Sequence, residues 1–195
     1  GMWNTSTEAK ISVKHVENYH LNHAVKLGKG HVKDDPDSNT GWWGQIYKTT
    51  DAGATWSTVF KSGPNDMYYF NAIDCSSDGM SCVAVAEGEG TMAFTTSDGG
   101  ENWTKTYEGP TDLSLMSVSF ASDTEVWIAP AQQVSRGKLA TNFMYSNDAG
   151  KTWTSKQLLE NCFAIEVDFS KVDGSGAAAC LNSQGTAGAV AMYLQ

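Results

Sequence analysis

Thr49-Thr50-Asp51-Ala52-Gly53-Ala54-Thr55-Trp56, Thr96-Ser97-Asp98-Gly99-Gly100-Glu101-Asn102-Trp103 and Ser146-Asn147-Asp148-Ala149-Gly150-Lys151-Thr152-Trp153 are three copies of one octet, S/T-x-D-x-G-x-x-W. Their aspartates fall 47 and then 50 residues apart, a spacing that suits a four-stranded sheet unit rather than a helical repeat. The chemistry of the octet is that of a tight turn between two strands. Its hydroxyl and carboxylate accept hydrogen bonds from loop N–H groups, its glycine admits positive φ, and its indole is a large apolar wedge on the returning strand. Thr49, Asp51, Gly53 and Trp56 are therefore read as a structural staple. So are Thr96, Asp98, Gly100 and Trp103, and likewise Ser146, Asp148, Gly150 and Trp153.

Outward from the octets the chain alternates with the period of strands. One repeat predicts strands at 69–74, 82–87, 91–96 and 102–108, and the next at 116–120, 125–129, 139–146 and 152–158. Each repeat is thus four strands, A to D, with the octet on the C–D turn. A last unit supplies A, B and C at 162–169, 177–181 and 188–193 and lacks D. Trp3 precedes Trp56 by 53 residues, which marks residues 2–8 as an orphan outer strand. The expected fold is all-β: a β-propeller of four-stranded antiparallel blades, three complete and a fourth shared between the termini. Residues 1–195 form a single domain, divided into the orphan strand at 2–8 and blades at 9–61, 62–109, 110–159 and, incomplete, 160–195. Two closures stay open: a four-bladed wheel in which residues 3–8 pair with the last strand, or part of a larger wheel completed by dimerisation.

The octets resemble Asp boxes, or BNR repeats, which occur in the β-propellers of sialidases, some endoglucanases, sortilin-type receptors and photosystem II assembly factors. The resemblance implies a propeller with the boxes on its outer rim, away from the usual ligand face. Blade length, the paired cysteines and the strand Cys82-Val83-Ala84-Val85 are similar to the photosystem II stability and assembly factor group, which implies a non-enzymatic scaffold. That group carries an arginine-rich patch, whereas Arg136 is the only arginine here. A typical sialidase, which grips its substrate with three arginines, is excluded on the same ground.

Composition narrows the partners. In a chain of 195 residues, 41% apolar residues and 18% charged describe one globular unit. Thirteen basic against 22 acidic residues, a net charge of −9, are the wrong sign for nucleic acid or anionic membranes, and no apolar run is long enough to insert as a membrane helix. The cysteines fall in two local pairs, Cys75 with Cys82 and Cys162 with Cys180, each flanking an A–B hairpin. Two disulfides are expected, with Cys162 directly opposite Cys180, and they point to an extracytoplasmic compartment; four buried thiols are the alternative.

Ligand sites in such a wheel are expected on the face that carries the B–C and D–A loops. Asp35, Asp37, Trp42 and Trp43 lie in a long first B–C insertion, Gln133 and Arg136 in the third, and Asp66 and Tyr68 in the first D–A loop. Aromatic rings beside carboxylates and amides suit a peptide, protein or glycan partner. A glycoside hydrolase would need two carboxylates, and Asp35, Asp37, Asp66, Glu87, Glu89, Glu108 and Asp112 are the candidates; sequence selects no pair, so no catalytic residue is assigned. The four histidines, His15, His20, His23 and His31, match no metal-ligand spacing, and Asp35-x-Asp37-x-Asn39 lacks the glycine and closing glutamate of a calcium loop. Neither a metal nor a cofactor is expected. The leading expectation is a binding scaffold. The alternatives are a carbohydrate-active propeller or a truncated piece of a larger one.

Overall fold

The computed structural model describes residues 24–31, 42–63, 66, 68–132, 142–157, 162–182 and 188–193. The described residues form strands, turns and loops, without a helix, and every strand pairing is antiparallel. The strands fall into four separate sheets in chain order. The first contains β1 (Ala24–His31), β2 (Trp42–Thr49) and β3 (Ser57–Lys61). The second contains β4 (Tyr68–Cys75), β5 (Cys82–Gly88), β6 (Thr91–Thr96) and β7 (Thr104–Gly109). The third contains β8 (Leu113–Phe120), β9 (Val126–Gln132), β10 (Asn142–Ser146) and β11 (Thr154–Gln157), and the fourth β12 (Cys162–Phe169), β13 (Gly176–Asn182) and β14 (Gly188–Tyr193). Each is a simple meander, the order that short turns impose on successive antiparallel strands.

Alternation along the strands gives the second and third sheets two apolar faces each, and neighbouring sheets stack face to face. Val83, Val85 and Ala93 of the second sheet meet Leu115, Val118, Phe120, Val126 and Ile128 of the third. Trp127, Ala129 and Phe143 of the third meet Ala164, Val167 and Phe169 of the fourth. Ile46 and Phe60 of the first meet Phe70, Ile73 and Phe94 of the second. Each fully buried side chain of this size contributes about 1.5–3 kcal/mol relative to exposure. The stacking, more than any single hairpin, holds the array together.

The first strand of a unit carries a β-bulge at an equivalent place in three sheets: between Phe70 and Ala72, between Leu115 and Ser117, and between Ala164 and Glu166. A bulge twists the strand locally and turns the following side chains. Polar links then tie one innermost strand to the next. The Asn71 side chain donates to the Leu115 carbonyl at 3.0 Å, and Phe120 N donates to Asp74 Oδ2 at 2.8 Å.

One expectation is corrected, and two rest on residues outside the described ones. Among the described residues no sheet contains strands from both ends of the chain, and the residues 3–8 expected to close a four-bladed wheel lie outside them. The first sheet shows three strands rather than four, its predicted first strand and the orphan strand at 2–8 lying outside the described residues. The last hairpin is not in the expected register. Cys162 stands opposite Asn182 and Cys180 opposite Ala164, so the two cysteines are diagonal across the ladder. The hairpin turn is one residue longer on each side than a direct pairing of the cysteines requires. Cys180 is nonetheless disulfide-bonded, while the side chain of Cys162 lies outside the described residues. Cys75 and Cys82 face each other directly and are bridged.

Candidate functional site

The three octets fold alike. In each, the x-G pair takes the left-handed conformation: Ala52 and Gly53 (φ 56° and 90°), Gly99 and Gly100 (68° and 88°), Ala149 and Gly150 (58° and 83°). That conformation brings the glycine N–H onto the leading hydroxyl, with Gly53 N to Thr49 Oγ1 at 2.9 Å, Gly100 N to Thr96 Oγ1 at 3.1 Å and Gly150 N to Ser146 Oγ at 2.8 Å. Each hydroxyl donates in turn to its aspartate, at 2.7, 2.6 and 2.7 Å. The carboxylates then collect N–H groups from the far side of the turn, from Thr55, from Glu101 and Asn102, and from Thr152.

Hydrogen bonding to a charged carboxylate favours the charged form. Bonds from Thr49 and Thr55 lower Asp51 to about 2. Thr96 and Asn102 hold Asp98 well below the ordinary range. Slight burial pushes Asp148 upward, but the bonds from Thr152 and Ser146 outweigh it and leave it at about 2. These oxygens are occupied with holding turns, so the boxes are framework rather than chemistry.

The site lies on the opposite loop face, where β3 of the first sheet meets β6 and β7 of the second. A cleft of about 450 Å³ is lined there by Phe60, Lys61, Asp66, Tyr68, Glu89, Met92, Phe94, Lys105 and Glu108, with Ser62 and Gly63 at its end. Its floor is aromatic: Tyr68 stacks on Phe94 with centroids 5.6 Å apart, and Phe60 approaches Phe94 at 5.1 Å. Gly44 makes this floor possible, because a Cβ there would sit 2.8 Å from the Phe70 ring beneath. Its N–H is held by Ser62 Oγ at 3.0 Å, which fixes β3 against β2.

The rim is charged. Lys105 Nζ lies 2.6 Å from Glu108 Oε2, and Asp66 Oδ2 accepts the Gly63 N–H at 2.8 Å, closing a turn whose other side is Asp66 N to the Gly63 carbonyl at 3.1 Å. Burial, and then the nearby Asp66 charge, push the Tyr68 phenol far above its usual value, so it stays a neutral donor throughout the working pH range. The arrangement can stack an apolar group, meet charges of either sign at the rim and offer one fixed hydroxyl.

Asp66 and Tyr68 from the sequence expectation come together here, as do Glu89 and Glu108 from the list of acids. Tyr68 is more a floor than a finger, being buried to 6% exposure. Glu87 is held elsewhere by the Tyr69 hydroxyl, which donates to it, and that bond together with burial raises Tyr69 to about 12. Asp112 is exposed at the turn into β8. Trp42 and Trp43 open β2 opposite His31 and Gly30, but their side chains, and that of His31, lie outside the described residues. Asp35, Asp37, Gln133, Arg136, His15, His20 and His23 also lie outside. Sequence reading missed Phe60, Lys61, Phe94 and Lys105. Phe60 and Lys61 end β3 beside the D–A loop, a position that could have marked them, whereas Phe94 lies inside β6 and Lys105 near the start of β7, where nothing in the sequence points to the cleft.

A second cavity of about 340 Å³ follows the innermost strands β4, β8 and β12 and is lined by Asn71, Asp74, Ser117, Glu166, Asp168 and Lys171 among others. Burial raises the Asp74 carboxyl, and Lys171, 2.7 Å away, offsets this in part. Among the described residues no cluster of His, Cys, Asp and Glu is arranged to hold a metal ion.

The family model of the BNR/Asp-box repeat matches residues 144–155, in and around the third octet. No curated protein matches the chain in sequence. Solved structures match in fold. A GH74 enzyme from Niastella koreensis superposes with a TM-score of 0.62 at 16% identity, over 94% of this chain and 28% of that one. The GH74 xyloglucanase from Xanthomonas campestris gives 0.58 at 9% identity, over 89% and 27%. YCF48 bound to a D1 peptide gives 0.57 at 16% identity, over 93% and 50%. The chain therefore spans from about a quarter to half the length of these proteins. With its three like turns and its meander of stacked sheets, the chain has the β-propeller fold of these structures and carries a BNR/Asp-box repeat at residues 144–155.

Proposed function

We propose that the chain is a non-enzymatic binding propeller that takes an extended peptide, carrying a basic residue and an apolar anchor, in the cleft between its first two sheets. The observation that carries this reading is the exposure of every carboxylate at the cleft. A glycosidase general acid is a carboxyl shielded from water so that it keeps its proton. Asp66, Glu89 and Glu108 are all exposed, and two of them are already engaged, with Gly63 N and Lys105. An aromatic floor with a mixed-charge rim is instead the ordinary chemistry of recognition. The net charge of −9 favours approach of a basic partner. The fold likeness to YCF48 with its D1 peptide supports a peptide over other ligands.

The likeness to GH74 enzymes supports a second reading, a carbohydrate-active propeller that stacks a sugar on the same floor. On either reading the four sheets are part of a larger wheel rather than a closed ring of four. The bridged Cys75 and Cys82 and the disulfide at Cys180 favour an extracytoplasmic setting, where such bonds persist.

Peptide and glycan arrays probed with the protein, beside a panel of chromogenic glycosides, test the proposal. Peptide binding weakened tenfold or more by Glu108→Lys or Phe60→Ala supports it. Glycoside turnover lost in Glu108→Gln or Glu89→Gln overturns it in favour of the enzyme.

A further inference from the structure

Residues three apart on a regular strand point to opposite faces. Lys105 and Glu108, both on β7, nevertheless meet, with Lys105 Nζ 2.6 Å from Glu108 Oε2. The ladder shows why. Phe94 pairs with Lys105, but the next pairs are Ala93 with Tyr107 and Met92 with Glu108, so Thr106 is an extra residue in the strand. Phe94 and Met92, two apart on β6, share a face, and the bulge puts Lys105 and Glu108 on that face as well. All four line the cleft. The bulge is pinned from two sides: the Thr106 hydroxyl accepts from Thr95 Oγ1 on β6 at 3.1 Å and from Trp153 Nε1, the indole of the third box, at 3.3 Å.

The pair is built to open. Its side chains are 44% and 64% exposed, and an ion pair in that much water holds weakly. Among the described residues Glu108 Oε1 accepts no hydrogen bond, so the Lys105 ammonium uses half of the carboxylate. In the same cleft Phe60 is the ring with surface left over: it is partly exposed, whereas Tyr68 and Phe94 are 6% and 5% exposed. A carboxylate and an open ring in one cleft suit a guanidinium better than an ammonium, because the planar group lies flat on the ring and donates two parallel bonds to the carboxylate. Asp66, Glu89 and Glu108 outnumber Lys61 and Lys105 along the lining, so the balance of charge also favours a cation.

We infer that Lys105 is a tethered competitor for the ligand's cation: it holds Glu108 until a peptide arrives and is displaced by an arginine side chain, whose guanidinium takes both oxygens of Glu108 and lies on Phe60. This rests on the reading of the cleft as a peptide site and adds to it the identity of the basic residue and a brake on affinity. Arginine wins the exchange because it makes a second hydrogen bond and a ring contact that Lys105 does not. A lysine in the peptide only replaces one ammonium with another.

Calorimetric titration with acetyl-Leu-Arg-Leu-amide, and with its lysine and citrulline counterparts, tests this on the unaltered protein and on Lys105→Met, Lys61→Met, Glu108→Gln and Lys105→Met/Glu108→Gln. All the altered positions are exposed, and far-ultraviolet circular dichroism checks that the variants fold. The arginine peptide is expected to bind about fivefold more tightly than either counterpart. Lys105→Met is expected to tighten it about threefold, the scale of an exposed ion pair, and less so at high salt. Glu108→Gln weakens it about tenfold and removes the gain from Lys105→Met. Lys61→Met takes an equal charge from the same cleft and is expected to tighten binding less. An arginine peptide that does not bind, or binds no better than citrulline, overturns the inference. So does a Lys105→Met that leaves affinity unchanged or weaker, that tightens no more than Lys61→Met, or that tightens equally without Glu108. The peptide reading itself fails separately, when no peptide on the arrays binds and the glycosides are turned over.

Discussion

Lys171 Nζ, on the turn between β12 and β13, reaches Asp74 Oδ1 on β4 at 2.7 Å, so the fourth sheet is tied to the second across the innermost strands. The pair is largely buried, with side-chain exposures of 19% and 10%. Removing one member leaves a charge with little water. Lys171→Met is expected to lower stability by about 3 kcal/mol in urea unfolding, and Asp74→Asn/Lys171→Met to recover part of the loss.

Two glycines at one motif position predict different costs. Gly53 and Gly150 both have positive φ, but a Cβ on Gly53 meets only Trp56, at 3.7 Å, whereas one on Gly150 would lie 2.6 Å from both Thr95 and Val83 of the second sheet. Gly53→Ala is expected to cost about 1 kcal/mol of backbone strain, and Gly150→Ala about 2–4 kcal/mol because overpacking is added. Thermal unfolding of the two variants checks the order.

The box aspartates predict the acid limb of stability. Their folded pKa values lie below the unfolded value, at about 2 for Asp51 and Asp148, so between roughly pH 4 and 2 the unfolded chain binds more protons. Stability contributed by the boxes is full above pH 4 and lost as pH falls through 2. Asp74, raised by burial despite Lys171, acts with the opposite sign and above that window, where its ionisation on rising pH costs stability. Denaturation midpoints measured from pH 7 to 2 should fall most steeply below 4, and Asp98→Asn should flatten that fall.

Reduction tests the turn between β4 and β5. The bridge from Cys75 to Cys82 closes a loop with a sequence separation of 7, for which chain entropy gives about 2.5 kcal/mol. Ser76 already closes this turn, donating to Asp78 Oδ1 at 2.6 Å and accepting from Ser81 N at 3.1 Å. Cys75→Ser/Cys82→Ser is therefore expected to fold, with a loss of about 2–3 kcal/mol, read as a lower urea midpoint.

The boxes were legible because their bonds are local. Thr49, Asp51, Gly53 and Thr55 satisfy one another within a handful of residues, so the order of residue types along the chain determines the geometry. Strand spans were legible for a similar reason: 162–169 and 188–193, read from alternation, are the spans of β12 and β14. The indole of the third box shows where this stops. Trp56 and Trp103 donate to their own glycine carbonyls, whereas Trp153 donates to Thr106 of the neighbouring sheet at 3.3 Å.

The cleft was half legible. Asp66 and Tyr68 stand in a D–A loop, where propellers of this kind are expected to bind, but Phe60, Phe94 and Lys105 come from three strands of two sheets. The ladder shifts between Ile46 and Tyr47 and between Ala93 and Phe94, which changes the expected pairing along β3 and β7. Periodicity cannot announce such a shift. The last hairpin failed on the same ground, its register moving Cys180 opposite Ala164.

Sequence by itself determined the repeat, the class of fold and the turn chemistry of the boxes, since each depends on residue types recurring at short range. Tertiary structure decided the cleft and the buried pair of Asp74 with Lys171. Those depend on how one sheet is rotated against the next, a quantity set by the packing of many side chains from distant strands and written in no single segment.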